Sequence, residues 1–205
     1  MRAQSVASAL RHAVSAGEYA PGEKLNEVAV AEKLGVARNT LRECFATLAA
    51  DGIVDRIPNR GVFIASPTAE DILSLFRARA VVEPGAVLWG SGLDVDALDR
   101  IVTEAESAES VESAEIALAN QEFHRTLVAA AGSGVLDEEM DRLLARMRLV
   151  FLTVERVRPN LHEDFVAVNR QIVTLLQADD RAGAASVLRT SLVETGESLA
   201  ATVPE

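Results

Sequence analysis

The sequence has 205 residues, of which 49% are apolar, 25% are charged and 4% are aromatic. A chain of this length and composition folds as one large domain or two small ones, and disorder is excluded. Its single cysteine excludes an internal disulfide and a cysteine-rich zinc site, and it has no apolar run long enough to span a membrane. Because the N-terminal residues form no continuous apolar segment of the kind found in secretion signals, we expect a cytoplasmic protein.

The net charge of −11 is distributed unevenly along the chain. The first 66 residues carry eight basic and seven acidic side chains, whereas the other 139 carry 12 arginines and 24 acids. Such an asymmetry indicates that one part of a chain contacts a polyanion and the other does not. The excess in the first part is one positive charge, so the interpretation depends on where individual arginines lie.

The first 66 residues alternate helical patterns with turn residues. The predicted elements are a helix that stops at residue 17, helices over 27–34 and 37–50, and strands over 53–57 and 62–65. Asn26 is placed to cap the second helix, and Gly35 ends it. Helix, helix, tight turn, helix and hairpin is the order of a winged helix-turn-helix domain, which we place at residues 1–66.

The rest of the chain, residues 67–205, is helical in pattern, because an apolar residue recurs every three or four positions. Six helices are predicted, near residues 69–90, 94–109, 111–131, 133–157, 160–178 and 180–202. The predicted fold class is therefore mainly α, with a small hairpin in the N-terminal domain and an antiparallel helical bundle in the C-terminal one.

The third predicted helix has two distinct faces. Its apolar stripe consists of Leu41, Cys44, Phe45 and Leu48, and its polar N-terminal turns carry Arg38, Asn39, Thr40 and Arg42. Arginine can donate two hydrogen bonds to guanine, asparagine pairs with adenine, and threonine reaches a phosphate or a thymine methyl group. A solvated polar face is the alternative, but the helix before it and the hairpin after it favour DNA reading.

The predicted hairpin has Asn59, Arg60 and Gly61 at its tip. An arginine at such a tip can enter a minor groove or meet a phosphate. An ordinary polar turn is the alternative interpretation, which the neighbouring third helix makes less favourable.

The segment 21–65 resembles the N-terminal domain of GntR-type transcription regulators. The matching positions are Pro21, Gly22, Leu25, Glu27, Leu34, Gly35, Val36, Arg38, Arg42, Glu43, Leu48, Gly52 and Gly61. The resemblance implies a winged helix-turn-helix domain that binds a double-stranded DNA operator. Two positions depart from the pattern: Val28 stands where the family often has arginine, and Ala37 where it usually has serine or threonine.

Residues 69–203 resemble the helical effector domain of the FadR-like branch, known as the FCD domain, through Arg79, Glu83, Asn120, Phe123 and His124. In many members of that branch a carboxylate and three histidines hold a metal. The corresponding positions here are Asn120, His124, Asn169 and Ser191. One imidazole without a carboxylate is too weak a donor set to hold Zn²⁺, so we expect no metal and no other cofactor.

The resemblance implies that these four residues, together with Arg79, line a pocket for a small organic acid or a related metabolite. Three alternatives stay open. In the first, His124 is a core histidine bonded to Asn120 or Asn169 and has no ligand. In the second, Arg79 is a structural partner of Glu83. In the third, the helical domain has lost effector binding and serves dimerisation alone.

The sequence therefore predicts a ligand-responsive repressor that binds a near-palindromic operator as a homodimer. An enzyme is not expected, because no glycine-rich phosphate loop occurs and no nucleophile is spaced to pair with His124. The expected partners are operator DNA, a small-molecule effector and a second copy of the chain, with no membrane.

Overall fold

A computed structural model describes residues 3–107, 113–155 and 163–203. The predicted helix ends at 109, 111, 157 and 160 lie outside these residues. The described elements are α1 (Ala3–Ser15), α2 (Glu27–Leu34), α3 (Arg38–Ala50), β1 (Val54–Ile57), β2 (Gly61–Ile64), α4 (Ala69–Trp89), α5 (Val95–Ser107), α6 (Ser113–Ala129), α7 (Gly134–Val154), α8 (Glu163–Gln177) and α9 (Arg181–Ala200). The predicted mainly helical fold with one small hairpin is confirmed.

The chain divides into two compact units. The first comprises the described residues up to Pro67 together with Leu144–Thr153 of α7, and the second comprises the other described residues. The domain boundary between residues 66 and 67 stays a prediction.

Local chemistry sets the ends of α2. The side-chain oxygen of Asn26 accepts hydrogen bonds from the backbone N–H groups of Val28 and Ala29, which satisfies two donors of the first turn. Gly35 ends the helix in the left-handed conformation with φ 63°, which a residue without a Cβ adopts at little cost. Both predicted boundaries of this helix are confirmed.

The core of the first unit contains the predicted stripe of α3. Leu41, Cys44, Phe45 and Leu48 are all at most 1% exposed, and Leu149 of α7 belongs to the same cluster. Burial raises the pKa of the Cys44 thiol to about 11, so the thiol is protonated at neutral pH and packs as a small apolar side chain.

The hairpin pairs β1 with β2 in antiparallel register, with Val54 opposite Ile64 and Asp55 opposite Phe63. Val62 and Ile64 are buried, whereas Phe63 between them points to the other face. The segment before α2 also pairs with β2, because Leu25 N–H donates to Val62 O and Ile64 N–H donates to Glu23 O. The sequence patterns did not predict this third, short edge.

In the second unit, α4 packs against α9 and α6, and α8 packs against α9, α5 and α6. Thr68 and Asp71 form a reciprocal capping box that starts α4. Gly196 of α9 lies so close to Phe76 that a Cβ there would be 2.6 Å from the Cβ of Phe76, which explains the missing side chain. Among the described residues, no helix has the length and apolarity needed to cross a membrane.

Candidate functional site

The polar face of α3 is available to a partner. Arg38, Asn39 and Arg42 are exposed, and Thr40 is partly exposed, on the side of the helix away from the buried stripe. Ala37 occupies the N-cap position and makes no side-chain capping bond, so the departure noted at this position removes a hydroxyl from the start of the helix. A DNA-reading role for these side chains stays a prediction.

The tip of the hairpin has the backbone of a tight turn. Asn59 has φ 60° and Gly61 has φ 112°, and the turn closes through a hydrogen bond from Arg60 N–H to Ile57 O. Asn59 and Arg60 are exposed, and Gly61 is partly exposed. These three residues lie at the tip as predicted, and their contact with DNA stays a prediction.

Lys24 is not among the DNA-binding residues that the sequence predicts, although it lies beside the hairpin. It forms an isolated antiparallel bridge with Phe63, 39 positions away in the chain. Local periodicity carries no signal for a pairing of this separation, so only a comparison of edge segments with β2 would have found it.

The second unit contains a buried polar cluster of five side chains: Arg79, Glu83, Asn120, His124 and Asn169. Each is at most 7% exposed. Helix α4 supplies the first two at a spacing of four residues, α6 supplies Asn120 and His124 at the same spacing, and α8 supplies Asn169. This spacing places each pair on one helix face, so three helices converge on one polar region.

The Glu83 carboxylate joins α4 to α6. Its Oε1 accepts a hydrogen bond from Arg79 Nε at 2.6 Å, and its Oε2 lies 2.7 Å from His124 Nδ1. The guanidinium of Arg79 also lies over the Phe76 ring, 5.2 Å from its centroid. The structure thus contains the Arg79–Glu83 pair that the sequence left as one alternative. It corrects the expectation for His124, whose observed partner is Glu83 and not an asparagine, because the i,i+4 face of α4 points at α6.

The asparagines form a separate link between α6 and α8. Asn169 Nδ2 donates to Asn120 Oδ1 at 2.9 Å. Buried amides need such partners, because an unpaired one costs about 1–3 kcal/mol.

The charges of the cluster follow from these contacts. Burial opposes ionisation of Glu83, but the Arg79 guanidinium and the contact with His124 together outweigh it and hold the pKa of the carboxyl well below its usual range. Burial also lowers the pKa of His124, so the imidazole is neutral at pH 7. An ionised carboxylate can only accept hydrogen bonds, so His124 carries its proton on Nδ1 and donates it to Glu83.

Ser191 is partly exposed, whereas the other four predicted pocket residues are buried. It lines an open groove of about 430 Å³ between α8 and α9, together with Phe165, Val168 and Thr190. The residues that line this groove include neither His124 nor the two asparagines. That Ser191 contacts the same ligand as these residues stays a prediction.

The buried polar cluster does not fit a metal ion of the kind that the FadR-like resemblance implies. Glu83 on Nδ1 is the outer-sphere carboxylate that a metal-binding histidine commonly has, but the flanking donors are two amides bonded to each other. No group of three histidine, cysteine or acidic side chains occurs among the described residues. The guanidinium already neutralises the one carboxylate present, so a second cation would meet no free negative charge.

Comparisons with known proteins assign both parts of the chain. Residues 2–64 match the model for bacterial regulatory proteins of the gntR family, and residues 74–194 match that for the FCD domain. An uncharacterised HTH-type transcriptional regulator of Agrobacterium vitis is 31% identical over 139 residues, which cover 63% of this chain and 81% of the relative. The HTH-type transcriptional repressor GlaR of Escherichia coli is 26% identical over 198 residues, covering 90% and 89%.

A solved structure has the same fold over its whole length. A protein from Rhodococcus sp. RHA1, described as a transcriptional regulator of the GntR type, superposes with a TM-score of 0.83 at 31% identity. The superposition covers 98% of this chain and 99% of that one.

Replacing Glu83 by glutamine tests the role of the buried carboxylate. The variant keeps the shape but leaves a buried guanidinium without its counter-charge, so we expect the free energy of unfolding at pH 7 to fall by about 3–5 kcal/mol. Because the folded pKa of Glu83 is lowered, its stabilising effect is present above the ordinary value of 4.5 and is lost as the pH falls towards the folded value. Urea denaturation at pH 7 and pH 4 measures both effects, and the difference between wild type and variant should shrink at pH 4.

The matched control is Glu122→Gln, which removes an exposed carboxylate of α6 that pairs with Arg125. A surface pair contributes about 0–1 kcal/mol. Equal losses in the two variants would contradict the interpretation of Glu83.

Proposed function

We propose a function from one premise: this chain belongs to the gntR family of bacterial regulatory proteins and carries an FCD domain. It is a DNA-binding transcription regulator and not an enzyme. We infer that in the cytoplasm it binds a near-palindromic operator as a homodimer and represses transcription. The name of the GlaR relative, a repressor, supports the direction of regulation.

The observation that carries the DNA-binding proposal is the division of α3 into two faces. Its buried stripe fixes the helix on the core of the first unit, while Arg38, Asn39 and Arg42 are exposed on its N-terminal half. In helix-turn-helix proteins the N-terminal residues of this helix contact base edges in the major groove. We propose that these three side chains read bases, that Thr40 contacts the backbone or a thymine methyl group, and that Asn59, Arg60 and Gly61 contact the neighbouring groove.

Exposed apolar side chains on α4 support the homodimer. Val81 is 76% exposed, Trp89 is 86% exposed and Leu88 is 39% exposed. Large exposed apolar residues on one helix mark a protein interaction surface. A second copy of the chain is the partner that an operator with two half-sites requires.

For the helical unit, we propose a small organic acid or a related metabolite as the effector. The support is the convergence of three helices on a buried guanidinium, an imidazole and two amides. These groups can recognise a carboxylate and its hydrogen-bonding substituents. The ligand would stabilise one arrangement of the helices and thereby change DNA affinity.

A second candidate, a DNA-binding dimer without an effector, is favoured by a different observation. The hydrogen bonds of the cluster are already made within the protein, from Arg79 and His124 to Glu83 and from Asn169 to Asn120. An acid that bound to Arg79 Nε, His124 Nδ1 or the two amides would have to displace these existing bonds.

Replacing Arg38 by alanine tests the DNA-reading face. On a duplex selected by the wild-type protein from a randomised library, we expect specific binding to weaken by roughly 1–3 kcal/mol and selectivity to relax at one base position. Gel shifts with the selected duplex and with its single-base variants measure both quantities. The control is Arg77→Ala, an exposed arginine of α4, and unchanged affinity and selectivity in Arg38→Ala would rule out this assignment.

Thermal denaturation of the purified protein with a panel of small carboxylic acids, each paired with its neutral amide, tests the effector proposal. Binding to the native state raises the midpoint by mass action. We expect at least one acid to raise it where its amide does not, and EDTA and Zn²⁺ to have no effect. A panel without any response would favour the dimer without an effector, and an EDTA-induced decrease that Zn²⁺ restores would contradict the metal-free cluster.

A further inference from the structure

The backbone places Lys24 on the hairpin although it precedes α2 in the chain. Leu25 N–H donates to Val62 O at 2.9 Å and Ile64 N–H donates to Glu23 O at 2.8 Å, so the residues on either side of Lys24 bond to the residues on either side of Phe63. Lys24 and Phe63 are therefore a non-hydrogen-bonded antiparallel pair, the arrangement in which facing side chains approach most closely.

Two exposed cations lie near the Phe63 ring. Lys24 Nζ lies 5.8 Å from the centroid of the Phe63 ring, and Arg60 Cζ lies 5.7 Å from the same centroid. Lys24 also passes over the hairpin tip, because a Cβ on Gly61 would be 3.3 Å from Lys24 Cε. We name Lys24, Arg60 and Phe63 the wing cation cluster.

The charge balance of the wing cation cluster differs from that of Arg11 and Lys33. Arg11 pairs with Asp51 at 2.7 Å and Lys33 pairs with Glu18 at 2.8 Å. Within the described residues, neither Lys24 nor Arg60 is in an ion pair, although Asp55 stands opposite Phe63 on β1. The aromatic face attracts both cations without neutralising either.

We propose that Lys24 is a DNA-backbone contact and that the wing cation cluster holds one phosphate group beside the hairpin tip. This inference rests on the proposed DNA-binding function and adds a residue to it. Two unneutralised positive charges on one rigid edge favour a polyanion, and a phosphate supplies the oxygens that both cations lack. The β2 pairing fixes the backbone of Lys24, so this segment of the chain need not be ordered on binding.

The contact makes a quantitative demand on salt dependence. A side chain that neutralises one phosphate releases condensed counterions, so its removal makes the negative slope of log K against log salt shallower by about one. A cation that only stacks on Phe63 and stabilises the hairpin would leave this slope unchanged.

The test compares Lys24→Gln with Lys33→Gln on the duplex selected by the wild-type protein. Lys33 is a close match, since its Nζ lies 5.7 Å from the Tyr19 ring centroid, but it has Glu18 as its partner. Binding is measured by fluorescence anisotropy at several salt concentrations, and Lys24→Arg is included as the variant that keeps the charge. Thermal midpoints of all variants verify that the fold is retained.

We expect the negative slope of log K against log salt to become shallower by about one in Lys24→Gln. In Lys33→Gln and Lys24→Arg it should stay at the wild-type value. An unchanged slope in Lys24→Gln, or equal losses in both glutamine variants, would overturn the proposal while leaving the DNA-binding function intact. A wild-type protein that selects no duplex from the library would instead overturn the proposed function itself.

Discussion

The helical unit is organised around a carboxylate that has no access to water. Burying an ionised Glu83 alone would cost several kcal/mol, and the cost is offset because Arg79 supplies the counter-charge and His124 a second hydrogen bond. The carboxylate therefore ties α4 to α6, while the Asn120–Asn169 bond ties α6 to α8. These contacts account for why a polar region persists inside an apolar bundle, and they fix the chemistry that any effector would encounter there.

The same contacts show which groups stand at the positions where the FadR-like pattern would place a metal site. An outer carboxylate and one histidine remain, and a guanidinium supplies positive charge inside the protein. Where the pattern has a carboxylate ligand and a second histidine, two amides bond to each other. A neutral cluster with internal hydrogen bonds results, and a ligand that binds to Glu83 or to the two amides must compete with those bonds.

The two units divide the work of the protein by charge. The acidic excess lies entirely beyond residue 66, and negative charge there opposes contact with a polyanion such as DNA. In the first unit, ion pairs neutralise Arg11 and Lys33. Within the described residues, the exposed cations of α3 and of the wing cation cluster have no such ion pair. The net charge of the unit does not distinguish paired from unpaired cations. The position and pairing of each cation decide whether it can contact a phosphate.

Local patterns predicted what local chemistry determines. The Asn26 cap, the Gly35 turn and the buried stripe of α3 depend on neighbours within a few residues, and all three are present. The partner of His124 and the position of Lys24 depend on contacts 41 and 39 positions away, for which hydrophobic periodicity has no signal. The family pattern assigns Ser191 to the pocket. The groove that it lines depends on packing between α8 and α9, which a sequence motif does not encode.

The most direct test of this account is the nitrogen-15 spectrum of the His124 imidazole at pH 7, with and without Zn²⁺, assigned with a His124→Gln variant. Because the pKa of His124 is lowered and an ionised Glu83 accepts from Nδ1, we expect a neutral ring protonated at Nδ1. Its nitrogen-15 resonances should not shift when Zn²⁺ is added. A ring that is protonated at both nitrogens, or one whose Nε2 resonance shifts when Zn²⁺ is added, would contradict it.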